Sequence, residues 1–349
     1  MIKNLKGKKI LVTGAGGYIG TTLVPMLLSE EAKVIAVDRF FFGKDLLLEH
    51  KNLTLVKQDS RNIEEELFKD VYAVIDLVAI SNDPSGEVFQ NATYEINYKS
   101  RANTAQIAKR NGVEFYILPS SCSIYGYQEK DIKVTEDAKT NPLTNYAVAN
   151  EKAEIDVKKL ASRDFCVVIL RQATVYGLSP RIRFDLAING MTYGAYNNKK
   201  LPLMRDGSQW RPMVHVTDTC KAQIFMLKTD KEKINGEIFN VGSDENNYQL
   251  KNLGETVASC VSEIINENVP IEWYGDPDHR SYRVSFEKIE KLGFKAIKKA
   301  EDGVTEICKA LKEGKLKKNE KSITLNWYQE LVKWHRIIKD VELNGKIFD

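Results

Sequence analysis

The sequence predicts an α/β protein, a doubly wound parallel sheet joined to a smaller mixed α/β substrate domain. Three observations carry that reading. Short apolar runs alternate with longer amphipathic stretches through the first half, as βαβ units do. The first such run, Lys9 to Val12, is followed at once by the glycine-rich stretch Thr13–Gly20. After Arg171 the alternation stops, and Gly, Pro and Asn separate shorter mixed elements.

In order, the predicted strands are Lys9–Thr13, Lys33–Val37, Leu53–Lys57, Ala73–Val78, Phe115–Pro119 and Cys166–Leu170. Amphipathic stretches at Asn91–Asn111 and Thr144–Ala161 are the clearest helices between them. Residues 1–175 therefore read as the dinucleotide-binding part, with some later segments able to return to it. Residues 176–349 read mainly as the second wall of a cleft plus C-terminal helices. Among the mixed elements of that half are Pro212–Val216, Glu237–Val241 and Gln249–Ile265. At the end, Trp327, Leu331 and Trp334 recur at helical spacing, which predicts a docked terminal helix.

Composition excludes several function classes. A net charge of +3 over 349 residues is too small to imply a nucleic-acid or membrane partner. The lysines between Lys309 and Lys321 have no interleaved aromatics and read as a solvated face. The five cysteines are scattered singly, without CxxC or a nearby histidine pair, so no disulfide framework or zinc site is expected. Ile10–Val12 is too short for a signal-peptide core and no run approaches a membrane span, so the expected location is cytoplasmic.

Thr13-Gly14-Ala15-Gly16-Gly17-Tyr18-Ile19-Gly20 joins a predicted strand to a predicted helix. Glycines there allow a tight turn and let backbone N–H groups approach a pyrophosphate at a helix N-terminus. A glycine-rich turn alone serves any strand–helix corner. Here Asp38 also ends the next strand, placed to accept hydrogen bonds from ribose hydroxyls and to repel a 2′-phosphate. NAD is expected over NADP, although Arg39 works against that preference.

The TGxxGxxG form resembles that of extended short-chain dehydrogenases/reductases, the NAD-dependent nucleotide-sugar epimerase/dehydratase group, which implies a Rossmann-type sheet. Asp59-Ser60-Arg61 resembles that group's adenine-contacting turn. Asp76-Leu77-Val78-Ala79 resembles its "HLAA" segment, with Asp in place of His, and Asn97 resembles its backbone-organising asparagine. The resemblance runs from Lys8 to about Ile347. It implies cofactor contacts from Gly14, Gly17, Tyr18, Ile19, Gly20, Asp38, Asp59, Ser60, Ala79, Asn97, Tyr146 and Asn150.

The same resemblance implies a catalytic tyrosine that moves a proton while hydride goes to nicotinamide, helped by a serine hydroxyl and a lysine. Tyr146 heads the YxxxK pattern, and Ser121, counted back from Tyr125-Gly126, is the matching hydroxyl. Asn150 stands where the lysine should. Lys152 falls on another side of the helix, so the sequence predicts a tyrosine without a cationic neighbour and an alkaline-shifted rate.

Leu170-Arg171…Val175-Tyr176-Gly177, Trp210–Asp218 and Phe239-Asn240-Val241-Gly242 are similar to that group's "LRxxxVYG", "RDFxHVxD" and "YNVG" segments. They imply a nucleotide-sugar substrate, with Arg181, Arg211 and Arg280 (in Asp278-His279-Arg280-Ser281-Tyr282) joining Ser121 as its contacts. Cys122-Ser123 replaces the Asp-Glu of 4,6-dehydratases and disfavours dehydration. Ser179–Leu186 looks like a branch holding 4-epimerases and GDP-heptose 4-dehydrogenases. C4 oxidation is expected, with epimerase ahead of dehydrogenase. A non-catalytic NAD sensor or scaffold is the rival of another class. A homodimer through 91–111 and 144–161 is also implied by the resemblance.

Overall fold

The computed structural model describes residues 4–128, 132–275 and 281–347. Its main sheet has seven strands in the order Glu237–Val241, Cys166–Gln172, Phe115–Ser121, Ala73–Asp76, Lys9–Thr13, Lys33–Asp38 and Leu53–Lys57. Every neighbouring pair runs parallel. Both faces are covered, so the central strands read as continuous apolar runs: Ile10, Leu11 and Val12 are fully buried, as are the residues from Cys166 to Leu170. One apolar core lies on each face, the first built around Ile10, Val12 and Ile117, the second around Leu11, Tyr116 and Leu118.

Strand order reverses between Lys9–Thr13 and Ala73–Asp76, which opens a crevice at their carboxyl ends. The fourth strand stops at Asp76, two residues earlier than predicted, and Leu77 and Val78 turn into that crevice. The predicted helix at Asn91–Asn111 is a continuous run from Gln90 to Arg110, with a wider turn over Tyr94–Ser100. Thr144 caps the next helix, Asn145–Lys158, by accepting from the Ala147 N–H at 3.2 Å.

Glu237–Val241, expected among the mixed elements of the second half, completes the main sheet beside Cys166–Gln172. Helix Val216–Lys228 likewise packs against helix Gly20–Ser29. What remains is a smaller body with its own core, in which Ala187–Asn198, Leu250–Ile265 and Ala300–Lys312 surround Leu203, Met213 and Val257. The terminal helix, Thr324–Val341, docks only through its first half. Leu331 is partly buried, but Trp334, expected in the docked stripe, is 54% exposed.

Candidate active site

A single cavity of about 640 Å³ occupies the crevice and runs from the glycine loop to the smaller body. At one end stand Gly14, Gly17, Tyr18, Ile19, Gly20 and Asp38; Ser121 and Tyr146 stand on its wall, and Arg211 and Tyr282 also line it. Gly14 has φ +64°, and a Cβ there would lie 2.7 Å from the Leu77 carbonyl carbon. A Cβ at Gly20 would lie 2.5 Å from the Gly14 and Ala15 carbonyl oxygens. These are the close backbone approaches that a dinucleotide cradle needs.

Asp38 accepts from the Gly16 N–H at 3.0 Å and the Phe40 N–H at 2.6 Å, and burial pushes its pKa up. Each carboxylate oxygen keeps lone-pair capacity for a ribose hydroxyl. Arg39 is engaged elsewhere: it lies 3.3 Å from Asp59 and over the Phe41 ring. Asp59 also grips Arg61 at 2.6 Å, and this bond holds its pKa down. Ser60 and Ala79 line the cavity beside it. The Tyr18 hydroxyl faces away from nucleotide work, donating to the Gly177 carbonyl at 2.6 Å and so tying the loop to the second half.

Two residues expected as cofactor contacts stand behind the cavity wall. Asn97 spends both ends of its amide on the Ile80 backbone, at 2.8 and 3.0 Å. Asn150 donates to the Tyr146 carbonyl at 2.9 Å and accepts from Arg101 at 2.9 Å, which leaves its amide turned into the protein. Arg280 lies outside the described residues.

Tyr146 borders the cavity and is partly buried. Burial pushes its pKa up and the Asp83 carboxylate adds to this, while a hydrogen bond with Ser121 and the charges of Arg101 and Arg183 draw it down. Ser121 is oriented by accepting from the Ser123 N–H at 3.1 Å. Asp83 arrives on the short helix Asp83–Val88, whose Gly86 lies against Tyr146; a Cβ there would be 3.1 Å from the tyrosine Cβ. The place a lysine would take is filled by Asn150, whose side-chain oxygen meets the guanidinium of Arg101, forty-five residues before Tyr146 and on another helix, while the balance on Tyr146 stays upward.

Arg181 lines the cavity and is 4% exposed. Its guanidinium stacks 3.8 Å from the Phe42 centroid and donates once, to Thr324, at 2.9 Å. Among the described residues its Nε and Nη1 have no hydrogen-bond partner, and burial, with Arg183 beside it, pushes its pKa down to about 9. A buried cation with spare donors on a cavity fits an anion such as a diphosphate. Arg211 donates to the Trp210 carbonyl at 2.9 Å and lies over Tyr282.

Sequence reasoning missed Arg101, the buried Arg183–Asp185 pair at 2.7 Å and the aromatic cluster of Phe41, Phe42, Phe89 and Tyr328. Departures at Asp76 and Asn150 were visible signals, but no spacing rule links either to Arg101. Several motif residues are architectural. His215 meets Glu306 at 2.7 Å, Asp218 accepts from the Ile297 and Lys298 N–H groups at 2.8 Å, and Asn240 accepts from the Tyr125 hydroxyl at 2.8 Å.

The fold and cavity define a dinucleotide-dependent enzyme with a tyrosine–serine pair. The chain belongs to the NAD-dependent epimerase/dehydratase family, whose model matches residues 10–242, and NAD is accordingly its cofactor. It is 28% identical over 316 residues to an uncharacterized UDP-glucose epimerase of Bacillus subtilis, covering 85% of this chain and 96% of that one. A UDP-glucuronate 4-epimerase of Thermodesulfobacterium geofontis is 28% identical over 268 residues, 72% of this chain and 80% of its own. The solved UDP-N-acetylglucosamine 4-epimerase of Methanobrevibacter ruminantium M1, in complex with UDP-N-acetylmuramic acid, shares the fold. Its TM-score is 0.78 at 23% identity, over 88% of this chain and 99% of that one. Among the described residues no helix is long and apolar enough to cross a membrane, and no cluster of metal-ligating side chains occurs.

Proposed function

We propose that the protein oxidises the C4 hydroxyl of a nucleotide-linked sugar and restores it with the opposite configuration, as a 4-epimerase. The carrying observation is that Ser121 and Tyr146 share one cavity with the glycine loop and with Arg181 and Arg211. The epimerase names of the relatives support the same reading.

Tyr146, as phenolate, accepts the proton of the C4 hydroxyl, and the Ser121 hydroxyl hydrogen-bonds the same oxygen. Bound NAD supplies the chemistry of hydride uptake from C4, and of its return to the resulting ketone. Tyr146 then gives its proton back to the reduced oxygen, so atoms and electrons balance over the cycle. Arg211 and Arg181 neutralise the diphosphates, because guanidinium forks match phosphate oxygens.

The test incubates the NAD-loaded enzyme with UDP-glucose, UDP-glucuronic acid and GDP-mannose, with NMR of the sugar and absorbance of NADH. Interconversion of C4 epimers without net NADH is expected, and Tyr146→Phe should slow it by on the order of 10²-fold or more. Stoichiometric NADH accumulation would instead make the protein a nucleotide-sugar 4-dehydrogenase. NAD binding with no reaction of any sugar would overturn the enzymatic reading of this site.

A further inference from the structure

Two departures, Asp76 and Asn150, converge on one buried arginine. Asp76, fully buried, accepts hydrogen bonds from the Thr13 and Tyr116 hydroxyls. Arg101, 1% exposed, places its Nε 3.8 Å from that carboxylate. Its Nη2 donates to the Asp76 carbonyl at 3.0 Å and to the Pro119 carbonyl, across the carboxyl ends of two neighbouring strands. Its Nη1 donates to the Asn150 side-chain oxygen at 2.9 Å, and the Asn150 amide donates to the Tyr146 carbonyl at 2.9 Å. The guanidinium is thus anchored at three acceptors and faces the helical turn that carries the tyrosine.

A guanidinium in this setting needs a functional or structural reason, since burying a charge costs several kcal/mol even when paired. The pairing with Asp76 is loose at 3.8 Å, and among the described residues Nε has no hydrogen-bond partner. The arrangement is a poor choice for stability alone. A lysine at 150 would set a second cation beside it and offer no acceptor, and an apolar residue there would leave Nη1 unsatisfied. Asparagine offers an acceptor to the arginine and a donor to the tyrosine's own turn, which no charged side chain can do.

We propose that Arg101 is a positioning residue for the reaction, a cation held through Asn150 that stabilises the ionised form of Tyr146. This rests on the C4-oxidation reading, because only a proton-accepting tyrosine has use for that charge. Other groups around Tyr146 are Asp83, which opposes ionisation, and Arg183, which favours it but is matched by Asp185 at 2.7 Å. Ser121 hydrogen-bonds the hydroxyl. Arg101, whose carboxylate partner Asp76 stands 3.8 Å away, is the less closely matched of the two cations.

The experiment follows the ionisation of Tyr146 in the NAD-loaded enzyme by NMR of Cζ-labelled tyrosine, its signal assigned by its loss in Tyr146→Phe. The single-turnover rate with the reacting nucleotide sugar is measured across the same pH range. Arg101→Met should move the Tyr146 midpoint up by about one pH unit and lower the neutral-pH rate about tenfold, with KM little changed. Arg101→Lys keeps the charge and should recover part of the midpoint, although its bonds differ. Should Arg101→Met fold poorly, Arg101→Gln, which keeps hydrogen-bond donors without the charge, is read the same way. An unchanged midpoint and pH profile in either folded variant overturns the role of Arg101. If the wild type turns over no sugar, the functional reading fails by itself, and the midpoint still decides whether Arg101 serves the tyrosine.

Discussion

Asn150 shows how a single position changes meaning with its surroundings. In isolation it is a missing lysine, and restoring Asn150→Lys should then speed the reaction. In the folded protein its oxygen is 2.9 Å from the Arg101 guanidinium, at a site 2% exposed. A lysine there would bury a second cation beside the first and remove the acceptor that holds it. The expected outcome is a loss of about 2 kcal/mol or more, seen as a melting temperature lowered by several degrees. Calorimetry of the two proteins checks it. A faster enzyme with an unchanged melting temperature would restore the simpler reading.

At the scale of elements, the terminal helix has two unlike halves. Its first turns carry Tyr328, whose ring centroid lies 5.9 Å from that of Phe42 and 6.2 Å from those of Phe41 and Phe89. The Trp327 indole N–H donates to the Phe41 carbonyl at 2.8 Å. Tyr328, Leu331 and Val332 line the cavity, so this half forms part of its wall next to the segment that follows Asp38. Tyr328→Ala should weaken NAD binding about tenfold by calorimetric titration, since aromatic contacts of this kind add about 1 kcal/mol beyond their buried area. Trp334→Ala, on the exposed half, should leave the affinity unchanged. Equal affinities in all three proteins would remove the helix from the cofactor site.

For the whole molecule, the expected homodimer draws on the run 90–110 and the helix Asn145–Lys158. These helices already meet within one chain, where the Tyr98 hydroxyl donates to Asp156 at 2.7 Å and Tyr98 and Leu160 pack on the core. Tyr94 and Ile155 remain outside, 38% and 51% exposed. Light scattering at micromolar concentration should give about twice the chain mass of 39.7 kDa. Ile155→Glu should return the protein to a monomer. A monomeric wild type would show that the two exposed side chains are ordinary surface.

Ser121 and Tyr146 were legible only through the family resemblance; local pattern by itself determined the strands of the nucleotide-binding half, the glycine cradle and Asp38. Those features are encoded by alternation, capping and turn chemistry within short windows, where neighbours in sequence are neighbours in space. Tertiary structure decided that Glu237–Val241 returns to the main sheet, because strand pairing across long stretches of chain leaves no local periodicity. It also decided that Asn97 and Asn150 face inward, and that positions 76, 101 and 150 meet. A buried charge is recognisable only from its partners, and the partners of Arg101 come from two strands and a separate helix. Only the packed sheet brings them within hydrogen-bonding distance.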